Sequence, residues 1–164
     1  MLNKKLAKAL NLQLNKEIYS AYLYLAMSAY SSYKGLTGFA NWFREQYKEE
    51  KEHAGKFYRY LVEQGARVEL ETIEKPPLEF GSPQEMFEKT LAHEQFISRS
   101  IRELLELALA EKDYATSIFL QWFIKEQVEE EANDNEILAK LKLAGENGAG
   151  LLVLDSELGK RGGH

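Results

Sequence analysis

Two stretches of this chain carry the same polar pattern 77 residues apart (17 to 94, 50 to 127, 53 to 130). Glu17 is followed 33 residues on by Glu50-x-x-His53, and Glu94 is followed 33 residues on by Gln127-x-x-Glu130. The spacing of apolar neighbours puts all six residues on the apolar stripe of a helix. Four of them are carboxylates. Charge on a buried stripe is costly unless something neutralises it. A pair of metal ions is the simplest neutraliser, and few folds bring four such stripes together.

Apolar residues recur at alternating steps of four and three in four long segments, the spacing of a helix-bundle seam. The seams read Leu10, Leu14, Glu17, Ala21, Tyr24, Ser28; then Phe39, Phe43, Gln46, Glu50, His53, Phe57, Tyr60; then Phe87, Leu91, Glu94, Ser98, Ile101, Leu105; then Leu120, Phe123, Gln127, Glu130, Asp134, Ile137, Leu141. Each is apolar at its ends and polar near its middle. Lys34-Gly35 makes a short link, so the first two helices are antiparallel neighbours. Gly65 ends the second. Ser82-Pro83-Gln84-Glu85 is a helix start with Ser82 as cap and Glu85 three residues on. Asp113 caps the fourth helix after another short link. Gly145, Gly148 and Gly150 end it, and Leu151 to Leu158 forms a short fifth helix. The link from Ala66 to Gly81 contains Pro76-Pro77 and can reach roughly 50 Å at ~3.3 Å per residue. That exceeds the ~40 Å length of a helix of about 27 residues. Such a crossover makes helices two and three parallel and brings the polar middles to one height. The expected fold is all-α: a four-helix bundle with one long crossover between helices two and three and a short C-terminal fifth helix, as a single domain over residues 1–164.

Composition narrows the partners. With 21 basic and 26 acidic residues the formal charge is −5. This disfavours nucleic acid and favours cations. There is no cysteine, which excludes disulfides and Cys-ligated clusters. No segment reads as a signal peptide or a membrane span. The expectation is a soluble, cytoplasmic protein with neither membrane nor nucleic-acid partner.

Glu50 and His53 lie three apart on one helix face and can reach one ion. Glu17 and Glu94 can bridge or cap from two other helices, and Gln127 and Glu130 replace the Glu and His of the first half. Carboxylates with a single imidazole suit iron or manganese better than copper. Four glutamates balance two divalent ions in formal charge. Glu49, Glu126 and Glu129 lie beside this set as a second acidic group, either a third ion site or a solvated acidic face. Tyr24 follows Glu17 on its stripe, either as a satisfied core tyrosine or as a residue that hydrogen-bonds a ligand or lends an electron. Trp122 is read as packing. His93 and Glu131 are read as surface, and His164 is terminal.

The motifs Leu14-Asn15-Lys16-Glu17-Ile18-Tyr19-Ser20-Ala21-Tyr22-Leu23-Tyr24, Glu49-Glu50-x-x-His53, Glu94 and Glu126-Gln127-Val128-Glu129-Glu130-Glu131 resemble those of prokaryotic non-haem ferritins. The resemblance covers nearly the whole chain. Ferritin-like carboxylate proteins are the standard example of a metal centre inside a helix bundle. The resemblance implies a ferroxidase that oxidises Fe(II) with dioxygen or peroxide and stores hydrated ferric oxide in a cage of 24 identical subunits. It implies a first iron on Glu17, Glu50 and His53, with Glu50 bridging. A second iron falls on Glu94 and Glu130 with Gln127 nearby, and a third ion on Glu49, Glu126 and Glu129. Haem is not implied: the methionines are Met1, Met27 and Met86, and position 52, where the haem ligand of bacterioferritins would fall, is Glu52.

Three rival readings accompany it. A rubrerythrin-like di-iron peroxidase usually adds a Cys-ligated iron module, which a chain without cysteine lacks. A non-catalytic helical assembly protein would hold a merely water-filled acidic seam. A DNA-protecting mini-ferritin places its metal between subunits, whereas this chain carries a full ligand set in one bundle.

Overall fold

The computed structural model describes residues 1–163, which form five α-helices: α1 (Lys4–Tyr33), α2 (Thr37–Glu63), α3 (Pro83–Ala110), α4 (Tyr114–Ala144) and α5 (Gly148–Leu158). His164 lies outside the described residues. The helix starts are set by side-chain caps. Asn3 accepts from the Leu6 amide, Ser82 and Glu85 form a reciprocal capping box, and Asp113 accepts from the Thr116 amide. Each satisfies amides that have no intrahelical partner.

Two short links make antiparallel hairpins of α1 with α2 and of α3 with α4. The long crossover is held against α1 by two asparagines one turn apart. Asn11 donates to the Arg67 carbonyl and accepts from the Glu69 amide. Asn15 donates to the Glu69 carbonyl and accepts from the Glu71 amide. Further along, the Tyr30 hydroxyl donates to the Gly81 carbonyl. The crossover therefore travels the length of α1 in the same direction, and α3 starts beside the C-terminal end of α1. Helices α2 and α3 are parallel, as the link length requires.

The fifth helix differs from expectation. It begins at Gly148 rather than Leu151, because the Asn147 side chain caps it by accepting from the Ala149 amide. Gly148 and Gly150 thus lie inside α5, not at the end of α4. Helix α5 docks on α2 at Gly38, where a Cβ would sit 1.6 Å from the Asp155 carbonyl oxygen. Asp155 in turn accepts from the Phe39 amide.

The apolar core has two parts. One contains Tyr24, Met27, Phe39, Trp42, Phe43, Phe87, Ile137 and Leu141, and the other Leu10, Leu14, Phe57, Leu61, Ile101, Leu120 and Phe123. Burying each of these large side chains stabilises the fold by roughly 1.5–3 kcal/mol. The polar middles of the four seams lie between the two parts.

Candidate metal centre

The four seams deliver their polar residues to one buried layer. Glu17, Glu50, His53, Glu94, Gln127 and Glu130 are each at most 5% exposed. Glu17, Glu50 and His53 bring ligand atoms within 4.8 Å of one another, and His53, Glu126 and Glu130 do the same. His53 belongs to both groups. Its Nδ1 is 3.2 Å from Glu50 and 4.0 Å from Glu17, while Nε2 is 3.9 Å from Glu126. The imidazole is seated edge-on against Trp122 and Phe123. Trp122 packs against the site on one side and is 40% exposed on the other.

Three glutamine amides orient three of the carboxylates. Gln13 donates to Glu17 at 2.7 Å, Gln46 to Glu130 at 2.6 Å, and Gln127 to Glu94 at 3.0 Å. Gln13 is itself fixed across the bundle by Ser100, which accepts from Lys16. A neutral amide aligns one oxygen of a carboxylate without cancelling its charge. The other Glu17 oxygen, Oε2, is buried and has no donor. That orphan acceptor, beside the imidazole, is where a cation fits.

The Tyr24 hydroxyl is satisfied: it donates to Glu94 in a short hydrogen bond. With Gln127 on its second oxygen, each Glu94 oxygen accepts a hydrogen bond, and Glu94 stands outside both ligand-spaced groups.

Electrostatics points the same way. Two carboxylates 4 Å apart repel by about 4 kcal/mol at an effective dielectric of about 20, more than the ~1 kcal/mol net of a neutral hydrogen bond. Burial, reinforced by Glu94 and Glu17, pushes Glu50 well above the ordinary carboxylate range. Burial raises Glu94 to about 7 against the opposing bonds from Tyr24 and Gln127, and raises Glu130 to about 8 with help from Glu94. Burial likewise lifts the Tyr24 phenol well above its usual value. Burial thus favours the protonated forms of Glu50, Glu94 and Glu130 wherever no cation balances them.

The second acidic group is looser. Glu126 faces His53, Glu49 is bound by Arg161 at 2.8 Å, and Glu129 is exposed. The three do not gather into a ligand-spaced group among the described residues. Sequence reasoning did not single out Gln13 or Arg161. A glutamine four residues before a seam glutamate was the available signal for the first. None marked Arg161, which reaches Glu49 only through the tertiary fold. His93 corrects the surface reading. It is half-buried, its Nε2 lies 2.7 Å from the Ser20 hydroxyl, and burial depresses it to about 4. Glu131 is likewise half-buried rather than on the open surface.

Comparison with known proteins agrees with this geometry. Residues 7–144 match the family model described as a ferritin-like domain. The bacterial non-heme ferritin of Campylobacter jejuni is 46% identical over 155 residues, covering 94% of this chain and 93% of that protein. The counterpart from Staphylococcus aureus is 42% identical over 98% of this chain and 97% of that protein. Among solved structures, an open-pore ferritin from the archaeon Archaeoglobus fulgidus superimposes with a TM-score of 0.96 at 49% identity, and an engineered closed form of the Archaeoglobus ferritin with 0.97 at 50%. Each comparison structure covers 98% of this chain and is itself covered to 98%. A bundle with this crossover, this buried carboxylate layer and relatives along its whole length belongs to the ferritin family.

Proposed function

We propose that this ferritin oxidises ferrous iron at the buried layer and stores the ferric product inside a multi-subunit shell. The observation that carries the site assignment is the orphan Glu17 oxygen, buried beside Glu50 and His53. Iron is here the substrate. Glu17, Glu50 and His53 hold one ferrous ion, and Glu130 and Glu94, with Gln127, hold a second. Glu50 lies between the two. Each ion loses one electron, and one dioxygen takes the two electrons with two protons and leaves as hydrogen peroxide. Tyr24, bonded to Glu94, keeps that carboxylate aligned until the ion arrives. Glu126 and Glu129, with Glu49 once Arg161 releases it, form a third site leading away from the pair.

The shell is a closed cage of 24 copies in this reading. Support comes from an apolar groove of about 630 Å³ between α1 and the crossover, lined by Tyr22, Leu25, Tyr33, Pro77 and Leu78. Tyr22, Leu25, Tyr33 and Leu78 are all exposed there, and clustered exposed apolar side chains mark surfaces that another chain covers. No described helix is long and apolar enough to cross a membrane, and in this reading the shell works in the cytoplasm.

Aerobic ferrous loading of the purified protein tests the assignment. Glu17→Ala and His53→Ala should abolish fast oxygen-dependent iron oxidation while the particle mass by light scattering is unchanged. Wild-type initial rates in both variants would remove the centre from these residues.

A further inference from the structure

One buried carboxylate has no part in the centre just described. Asp134 follows Glu130 by one turn of α4, so the two side chains share a face. It is 0% exposed, and neither carboxylate oxygen accepts a hydrogen bond. Across the α2–α4 seam stands Gln46, also 0% exposed. Its Nε2 donates to Glu130 Oε2 at 2.6 Å, which leaves its Oε1 buried without a donor. Three buried oxygens without a donor therefore belong to the two residues flanking Glu130, one a turn along α4 and the other hydrogen-bonded to it. Leaving one buried acceptor unmatched costs about 1–3 kcal/mol, and more for a charged one. Native interiors rarely keep several together.

The nearby donors are engaged elsewhere. Tyr24 donates to Glu94, Gln127 to Glu94 and Ser98, and Arg161 to Glu49 and the Trp42 carbonyl. His93 is paired with Ser20. These engagements leave the three oxygens without a donor.

We propose that Asp134, the Gln46 carbonyl oxygen and the Glu130 carboxylate form a further divalent-cation site, one helical turn beyond the di-iron centre on the α5 side. Two carboxylates and an amide carbonyl are hard oxygen donors, suited to Mn(II), Fe(II) or Mg(II) and poor for Cu(I). Counting Asp134, the buried layer carries five carboxylates, one more than two divalent ions balance. Glu130 is shared, so an ion here would sit next to the second iron and could stand ready as its replacement after the ferric product leaves. The proposal rests on the reading of the main centre only through Glu130.

The test uses the intact assembled protein, stripped of metal, with Mn(II) as probe. Free Mn(II) is counted by electron paramagnetic resonance, and bound ions are located by anomalous scattering in soaked crystals. Wild type should show a peak between Asp134 and Gln46 and bind one more ion per subunit than Asp134→Asn, which keeps the shape and loses the charge. Gln46→Met should weaken that ion by on the order of tenfold or more. Glu17→Ala should lose the ion at His53 and keep the one at Asp134, so the two sites fail separately. A filled main centre with no peak at Asp134, or equal ion counts in wild type and Asp134→Asn, would show that Asp134 carries a proton instead and overturns the site. A peak at Asp134 beside an empty main centre would support this site and refute the other.

Discussion

Arg161 grips Glu49. Its Nη2 donates to the Glu49 carboxylate at 2.8 Å, its Nη1 donates to the Trp42 carbonyl, and the guanidinium lies 4.5 Å from the centroid of the Trp42 ring. The segment after α5 is pinned for this by Asn41, which donates to the Arg161 carbonyl at 2.9 Å. A protein cation thus already occupies one carboxylate of the proposed third site. An incoming ion has to displace it.

Arg161→Gln should therefore strengthen third-ion binding, on the order of fivefold. This corresponds to ~1 kcal/mol, the scale of a partly exposed ion pair. Stability should change by no more than a similar amount. Anaerobic calorimetric titration with Fe(II), comparing Arg161→Gln with Glu49→Gln, measures this. Equal third-ion affinity in wild type and Arg161→Gln would show that the guanidinium does not compete.

Gln13 acts on iron only through Glu17. It touches no other candidate ligand, and it is locked by Ser100 and, through it, Lys16. Gln13→Leu keeps the volume and removes the amide, freeing Glu17 to rotate. Loss of such an orienting partner typically costs about 10–100-fold in metal affinity or activity. The expected signature is a higher iron concentration for half-maximal oxidation with an unchanged particle mass. Gln13→Glu should not rescue, because it adds a charge where a donor is needed. A wild-type concentration dependence in Gln13→Leu would remove Gln13 from the positioning role.

The metal-free protein should lose stability as pH rises. Glu94, Glu130 and Asp134 have native values of about 7, about 8 and about 9, with burial the first cause in each. In the unfolded chain such groups titrate near 4, roughly 3.9 for Asp and 4.3 for Glu. Between these limits the native state holds protons that the unfolded state has released, so stability falls with rising pH. Their contribution is fully present below about pH 4 and is lost progressively up to about pH 9. Guanidinium unfolding of metal-free protein should accordingly show a lower midpoint at pH 8.5 than at pH 6, and Asp134→Asn should flatten that slope. Saturating Mn(II) should raise the midpoint most at pH 8.5, because cation binding no longer has to expel protons. A midpoint independent of pH over this interval would contradict the buried, proton-holding layer.

Much of the fold was legible because a bundle announces itself by period. Phe39, Phe43, Phe57 and Tyr60 fix one face of α2, and Glu50 and His53 fall on the same face, so the periodicity that located the core also located the charged layer. The crossover was legible from length alone. Pairings made by side chains that leave their helix were not legible. Arg161 reaches Glu49 across 112 residues, and no local pattern encodes that approach. His93 looked exposed because it sits off the α3 seam, yet α1 supplies Ser20 and Tyr19 to cover it. The start of α5 was misplaced because three glycines read as a terminator, whereas the deciding residue is the Asn147 cap. Asp134 was visible on its seam, but its lack of any partner is a property of the folded interior.

Gly38 tests how α5 is held. The α2–α5 contact is so close that a Cβ at residue 38 would lie 1.6 Å from the Asp155 carbonyl oxygen and 2.5 Å from its carbon. Both are backbone atoms, so no rotamer change relieves the clash. Gly38→Ala gains helix propensity within α2, by roughly 0.5–1 kcal/mol, and would stabilise the protein if α5 were absent. With α5 docked, the helix must move away, breaking the hydrogen bond that the Phe39 amide donates to the Asp155 carboxylate and exposing Leu154 and Leu158. Re-exposing two leucines costs about 3–6 kcal/mol, which outweighs the propensity gain. Hydrogen exchange should therefore accelerate across the α5 amides, with α1, α3 and the far end of α4 unchanged. The grip of Arg161 on Glu49 should loosen as well, since both depend on the same docked segment. Unaltered α5 protection in Gly38→Ala would mean that the helix is anchored elsewhere.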